Sequence, residues 1–261
     1  MGGCSESGFI QRIAAKLIRL GFRVFLMNHR GSGPGMGLCD RLWNGGSSQD
    51  LSHIIDYIVG RYPENELLVM GFSLTGNILL KYLGEGRPLP RQLKAALSVN
   101  PPIDLKVASR KISEGPWSRT FNYYYLRLMN RQVDAALKQF PSAFRPTFKP
   151  KTIWEFDVGY TAPAFGYPNV EAYYESASAK QFLADISLPT LLLCSQDDPF
   201  IPPETFSDAR LNPQIEFINP EHGGHMGYIS QKINDLGDRR WMDFICVQWA
   251  KSLYPELKDF S

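Results

Sequence analysis

The chain has 261 residues, 44% of them apolar, with a formal net charge of +2. That size and composition suit one α/β domain, alone or with an inserted cap. The near-neutral balance excludes a general polyanion binder, and no apolar run approaches the ~18 residues of a membrane span.

The first predicted helix carries Ile10, Ile13, Ala14, Leu17 and Ile18 on one face. Gln11, Arg12, Lys16 and Arg19 lie opposite, and Gly21 ends it. Arg23 to Asn28 reads as a short buried strand. A glycine-rich loop from Gly31 to Gly37 follows, but Met36 and Leu38 stand where a dinucleotide loop needs glycine. Ser47-Ser48-Gln49-Asp50 reads as a helix start with Asp50 closing a capping box. Leu51, Ile54, Ile55, Ile58 and Val59 give that helix its inner face.

Leu67 to Met70 is an apolar strand that runs into Gly71-Phe72-Ser73-Leu74-Thr75-Gly76-Asn77. A helical pattern leaves the turn at Ile78, Leu79, Leu80, Tyr82 and Leu83. This is the layout of a nucleophile elbow, which lifts a serine hydroxyl clear of a sheet and aims a helix N-terminus at it. Thr75 stands where Gly-x-Ser-x-Gly has glycine, which arrives one step later at Gly76. A Cβ at that position is expected to cost ~1 kcal/mol or more in strain.

Lys94 to Val99 is the next strand, closed by Asn100-Pro101-Pro102. Strand-like runs then stop from 105 to 155. That stretch is rich in aromatics, among them Trp117, Tyr123, Tyr124 and Tyr125, and sets ten Lys and Arg against three acids. An insertion between two strands is where a cap over an active site sits. Residues 1–104 and 156–261 are therefore read as two parts of a core, and 105–155 as a basic aromatic cap. Thr190 to Cys194 and Ile215 to Ile218 are the last strands, and Trp241 to Leu253 the last helix. The alternation predicts a mostly parallel sheet with helices on both faces.

A serine hydroxyl needs an imidazole to take its proton and a carboxylate to hold that imidazole. Of the four histidines, His29 is read as bracing its own loop and His53 lies on a helix. His222 and His225 share the loop after the last strand, and Asp197 and Asp198 end the strand before it. The order serine, acid, histidine is that of the α/β-hydrolases.

Several segments together resemble the YheT-like esterase/lipase family of α/β-hydrolases. They are Asn28-His29-Arg30-Gly31, the elbow, Phe156-Asp157 with Tyr160-Thr161-Ala162-Pro163, Asp197-Asp198-Pro199-Phe200, and His222-Gly223-Gly224-His225-Met226-Gly227. The resemblance spans nearly the whole chain. It implies Ser73 as nucleophile, Asp198 as the triad acid, His225 as the base and the Leu74 N–H as one oxyanion donor. It implies hydrolysis of short- to medium-chain esters or acylglycerol-type lipids, with no cofactor and no metal. It also implies three strands ahead of the first helix. The residues that open the chain resemble the tail of the family's oxyanion loop, which places the second donor near Met1. The expectation is thus an α/β-hydrolase fold lacking strands 1–3 of a longer protein, with a vacancy between Arg23–Asn28 and Leu67–Met70. The alternative is a catalytically impaired form that serves as a binding module.

The expected partner is a small ester or lipid, with peripheral lipid-surface contact through the basic cap and no nucleic acid. Cys4, Cys39, Cys194 and Cys246 form no Cys-x-x-Cys and read as reduced, buried thiols. The polar N-terminus is no signal peptide, and Glu6 stands where a myristoylation motif has Ser or Thr. The expected location is the cytoplasm.

Overall fold

The computed structural model describes residues 3–256. Helix α1 (Gly8–Arg19) buries Ile13, Ala14 and Leu17, and Gly21 leaves it with φ 90°. Arg12 and Lys16 on its polar side each reach Asp243 at 3.0 Å. Helix α2 (Ser48–Arg61) buries Leu51 and Ile55. Strand β1 (Leu67–Phe72) runs through Ser73 into α3 (Leu74–Gly84), and β2 (Leu93–Val99) follows. A helical run comes next: α4 (Leu105–Glu114), α5 (Ser118–Gln139), α6 (Ile153–Phe156), a π-helical turn (Asp157–Thr161), α7 (Ala162–Ala164) and α8 (Val170–Ala177). Then come β3 (Thr190–Leu193), α9 (Glu204–Ser207), β4 (Ile215–Ile218) and α10 (Trp241–Leu253).

Strands β1 to β4 form one sheet in sequence order, and every neighbouring pair is parallel. Parallel neighbours need crossovers, which put helices on the faces. Strand alternation sorts the two sides. Ala96 and Leu192 pack with Leu51, Ile55, Ile78 and Leu79 of α2 and α3. Leu97, Val99, Leu191 and Leu193 pack with residues of α1 and α10, such as Ile13, Leu17, Met242 and Cys246. This is the α/β-hydrolase arrangement expected. Because all strands run one way, the residues that follow them gather at one edge: Ser73, Asn100, the 195–198 turn and the 219–227 loop.

Arg23–Asn28 corrects the expectation of a further strand, for it pairs with nothing as a strand. Val24 packs toward the α1 side and Met27 toward the α2 side, the alternation of a segment lying in the sheet layer. A cavity of about 1040 Å³, lined by residues 23–29 and by β1, separates the two. Ladder hydrogen bonds need a neighbour within reach, so an apolar alternating segment that faces a cavity stays unpaired. The same cavity leaves Ile54 38% exposed, although its spacing predicts the inner face.

Two smaller expectations also change. The capping box at α2 does not form. Ser47 Oγ instead accepts the Asn44 N–H at 2.9 Å, and Asp50 takes the stronger charged partner, Arg30, at 2.7 Å. All four cysteines are free thiols, but only Cys194 and Cys246 are buried. Among the described residues, no helix is long and apolar enough to cross a membrane.

Candidate active site

Ser73 sits between β1 and α3 with φ 53° and ψ −128°, a conformation that costs a non-glycine residue ~1–3 kcal/mol. Its N–H donates to Val99 O at 2.8 Å, and its carbonyl accepts the Gly76 N–H at 2.8 Å. The close approach of strand and helix falls at Gly71 and Gly76. A Cβ on Gly71 would lie 2.8 Å from Thr75 O, and one on Gly76 would lie 2.6 Å from Ser98 Oγ. The strain expected at Thr75 is thus misplaced: its side chain points to His29, with Oγ1 2.9 Å from Nε2.

Ser73 Oγ lies 2.7 Å from His225 Nε2, and His225 Nδ1 lies 2.8 Å from Asp198 Oδ2. An ionised carboxylate only accepts, so Nδ1 carries the ring proton and Nε2 is left to accept from the serine hydroxyl. The Asp198 carboxylate is fully buried and receives more than the imidazole. Its Oδ1 accepts N–H bonds from Phe200 at 2.8 Å and Ile201 at 3.3 Å, and Asn100 Nδ2 donates to Oδ2.

The structure separates the neighbouring pairs. Asp197 Oδ1 accepts the N–H groups of Gly223 at 2.9 Å and Gly224 at 2.7 Å. Burial works against its charge, but these donors, Ser195 and His222 together hold its carboxyl below the usual range. Asp197 is therefore an exposed acid that clamps the histidine loop. His222 is exposed and stands 3.6 Å from Asp197, so it meets that carboxylate rather than a loop carbonyl. Leu74 is the first residue of α3, where helix geometry leaves the N–H without an intrahelical partner. Met1 lies outside the described residues.

The family described as alpha/beta hydrolase fold matches residues 1–231. The chain belongs to the alpha/beta hydrolase fold family. It is 29% identical over 271 aligned residues to a Saccharomyces cerevisiae protein named medium-chain fatty acid ethyl ester synthase/esterase 2, covering 94% of this chain and 60% of that one. It is 27% identical to mouse monoacylglycerol lipase ABHD2, over 95% of this chain and 63% of the relative. The chain thus spans about 60% of the length of these relatives. The Pyrococcus furiosus esterase Pf2001 shares the fold, with a TM-score of 0.58 at 13% identity over 96% of this chain and 79% of that one.

In this hydrolase-fold protein a cavity of about 90 Å³ opens at Ser73 and His225, walled by Trp43, Leu74, Met129, Phe156 and Tyr160. Asp157, in the π-helical turn, also lines it. Burial pushes the Asp157 carboxyl up to about 6, against the donors Thr161 Oγ1 at 2.6 Å and Tyr174 OH at 2.7 Å. Tyr174 OH has one proton, so Ser109 Oγ donates in the 2.8 Å contact between them.

Two partners of this candidate site are not among the residues the sequence points to. Asn100 was visible only as the end of a strand, although Asn is the residue that tolerates its φ of 46°. His29, expected to brace its own loop, reaches across to the elbow at Thr75.

Proposed function

We propose that this protein is a serine hydrolase of carboxylic esters. Ser73 is the nucleophile, His225 the general base and acid, and Asp198 the group that orients His225. The observation that carries this reading is the hydrogen-bonded chain from Ser73 Oγ through His225 to Asp198, at 2.7 and 2.8 Å, at the mouth of an apolar cavity.

His225 Nε2 takes the Ser73 proton as Oγ attacks the acyl carbonyl carbon. The Leu74 N–H, at the N-terminus of α3, donates to the oxyanion that forms. Imidazolium is stabilised by Asp198 and passes its proton to the leaving alcohol oxygen. Water enters and gives a proton to Nε2 as its oxygen attacks the acyl carbon; Nε2 then returns that proton to Ser73 Oγ as the C–Oγ bond breaks, releasing the acid.

The apolar wall favours an acyl chain over a charged substrate. Short- to medium-chain esters, including acylglycerols, are the proposed class, and the names of the yeast and mouse relatives support it. The motifs around Asn28, Asp157 and the Asp198-Pro199 turn support the finer placement among YheT-like esterases. Residues 105–155 serve as the cap, because Leu105, Ile112, Tyr125 and Met129 line the cavity. Exposed Trp117, Tyr123 and Tyr124 with nearby Arg119 and Arg127 form a face suited to a lipid surface. A fluorophosphonate probe tests the central assignment. Labelling that Ser73→Ala abolishes supports it; labelling that survives Ser73→Ala refutes it.

A further inference from the structure

Residues with unusual backbone geometry persist only where their surroundings over-determine them. Ser73 is such a residue, at φ 53°. On one flank the elbow is tied to β2 by the bond from Ser73 N–H to Val99 O at 2.8 Å. The other flank of β1 faces the cavity of about 1040 Å³, and no described strand pairs there. On that side His29 reaches the elbow at Thr75, two residues past the nucleophile, at 2.9 Å.

The ring of His29 is itself held. It stacks on Trp43 at a centroid distance of 4.1 Å with an interplanar angle of 8°. It is 6% exposed, and its Nδ1 is buried with no hydrogen-bond partner in the described structure. Burial, joined by nearby positive charge including Arg30, pushes its pKa down to about 3. The imidazole is thus neutral over the working range, and the bond to Thr75 is the one its ring makes. A buried orphan acceptor is less costly than a buried orphan N–H. That preference puts the ring proton on Nε2, donating to Thr75 Oγ1.

We propose that His29 and Thr75 form a positioning pair that holds the nucleophile elbow from its open flank, with Trp43 as the backing. Thr75 replaces the conformational freedom of a glycine with a hydroxyl tether. The pair acts through the first turn of α3, which begins with the Leu74 N–H and follows directly on Ser73. It sets turnover, not substrate binding. The inference rests on the proposed role of Ser73.

The test measures fluorophosphonate labelling rate and steady-state hydrolysis of a short-chain nitrophenyl ester by the full chain. Thr75→Val keeps the shape and removes the hydroxyl. His29→Phe keeps a ring on Trp43 and removes the donor. Each is expected to lower kcat and labelling about tenfold with KM within about twofold, because small displacements of an attacking group are costly. The double variant is expected to lose no more than either single one, since both break the same bond. Thr75→Ser is expected to restore the rates. Wild-type labelling in Thr75→Val, a loss of melting temperature without loss of kcat, or an equal loss in Thr75→Ser overturns the positioning role alone. An unlabelled wild-type chain, or a labelled Ser73→Ala chain, overturns the nucleophile assignment and this pair with it.

Discussion

Asn100 Nδ2 donates to Asp198 Oδ2, the same carboxylate oxygen that receives His225 Nδ1. Its side chain also donates to Gly224 O at 3.0 Å and accepts from the Tyr228 hydroxyl. One fully buried amide thus joins the acid, the histidine loop and the residue three beyond His225. Asn100→Gly keeps the backbone freedom needed at φ 46° and deletes this junction. Turnover of a short ester is expected to fall about tenfold or more, since His225 loses the fixed geometry of its partner. Steady-state kinetics with circular dichroism as a folding control check it.

Asp197 and Asp198 are adjacent but hold different atoms, so their amide variants should differ. Asp198→Asn leaves His225 Nδ1 facing an amide that can present a donor, which favours the wrong tautomer. A loss of about 10⁴-fold in kcat is expected, as for a triad acid. Asp197→Asn weakens the bonds from the Gly223 and Gly224 N–H groups and the contacts with Ser195 and His222. A loss within about tenfold is expected there, because Ser73, His225 and Asp198 all stay in place. Equal losses from the two variants would contradict the assignment.

Two buried groups pull stability in opposite directions with pH. Asp157 rises from 3.8 to about 6 through burial, so between those values the folded state holds a proton that the unfolded chain releases. Stability falls as pH rises through that window. His29 drops from 6.5 to about 3, so the unfolded chain binds a proton that the folded state refuses. Stability there falls as pH drops from 6.5. Relative to wild type, Asp157→Asn should gain stability as pH rises from ~4 to ~6, by about 3 kcal/mol in all, read as a rising difference in melting temperature. His29→Phe should gain relative to wild type as pH falls below 6.5. Melting curves across pH 4 to 7 read both trends.

The amides of β1 that point away from β2 face the large cavity, whereas β2 is paired with both β1 and β3. Hydrogen exchange is therefore expected to be fast at alternate β1 amides and slow throughout Ala96–Val99. An extended peptide that fills the cavity as a parallel strand should slow the β1 set selectively. Uniform protection across β1 in the free chain would contradict the open flank.

Much of the fold was legible because apolar periodicity is a local record of which side of an element is covered. Leu67–Met70, Lys94–Val99 and Ile215–Ile218 alternate or run apolar between turn residues, and each forms its strand. Arg23–Asn28 carries the same signature without pairing, since the signature reports burial and the ladder needs a neighbour. The site was legible where chemistry demands a residue type. A Gly-x-Ser turn, two acids after a strand and a Gly-Gly-His loop are uncommon enough together to be read. Asn100 and Thr75 were not, because each acts on a partner distant in sequence.

The sequence by itself determined a parallel α/β sheet, a strained serine turn between strand and helix, and acid and histidine loops in hydrolase order. Each is a short-range property of spacing, glycine placement and side-chain type. Only the tertiary structure decided which of Asp197 and Asp198, and which of His222 and His225, stand in line with Ser73. It also decided that Asn100 joins the acid to the histidine loop and that Thr75 is tethered by His29. The physical reason is distance along the chain. Ser73 and His225 are 152 residues apart and Asn100 and Asp198 are 98 apart, so hydrogen-bond geometry between them exists only once the sheet has gathered its strand ends at one edge.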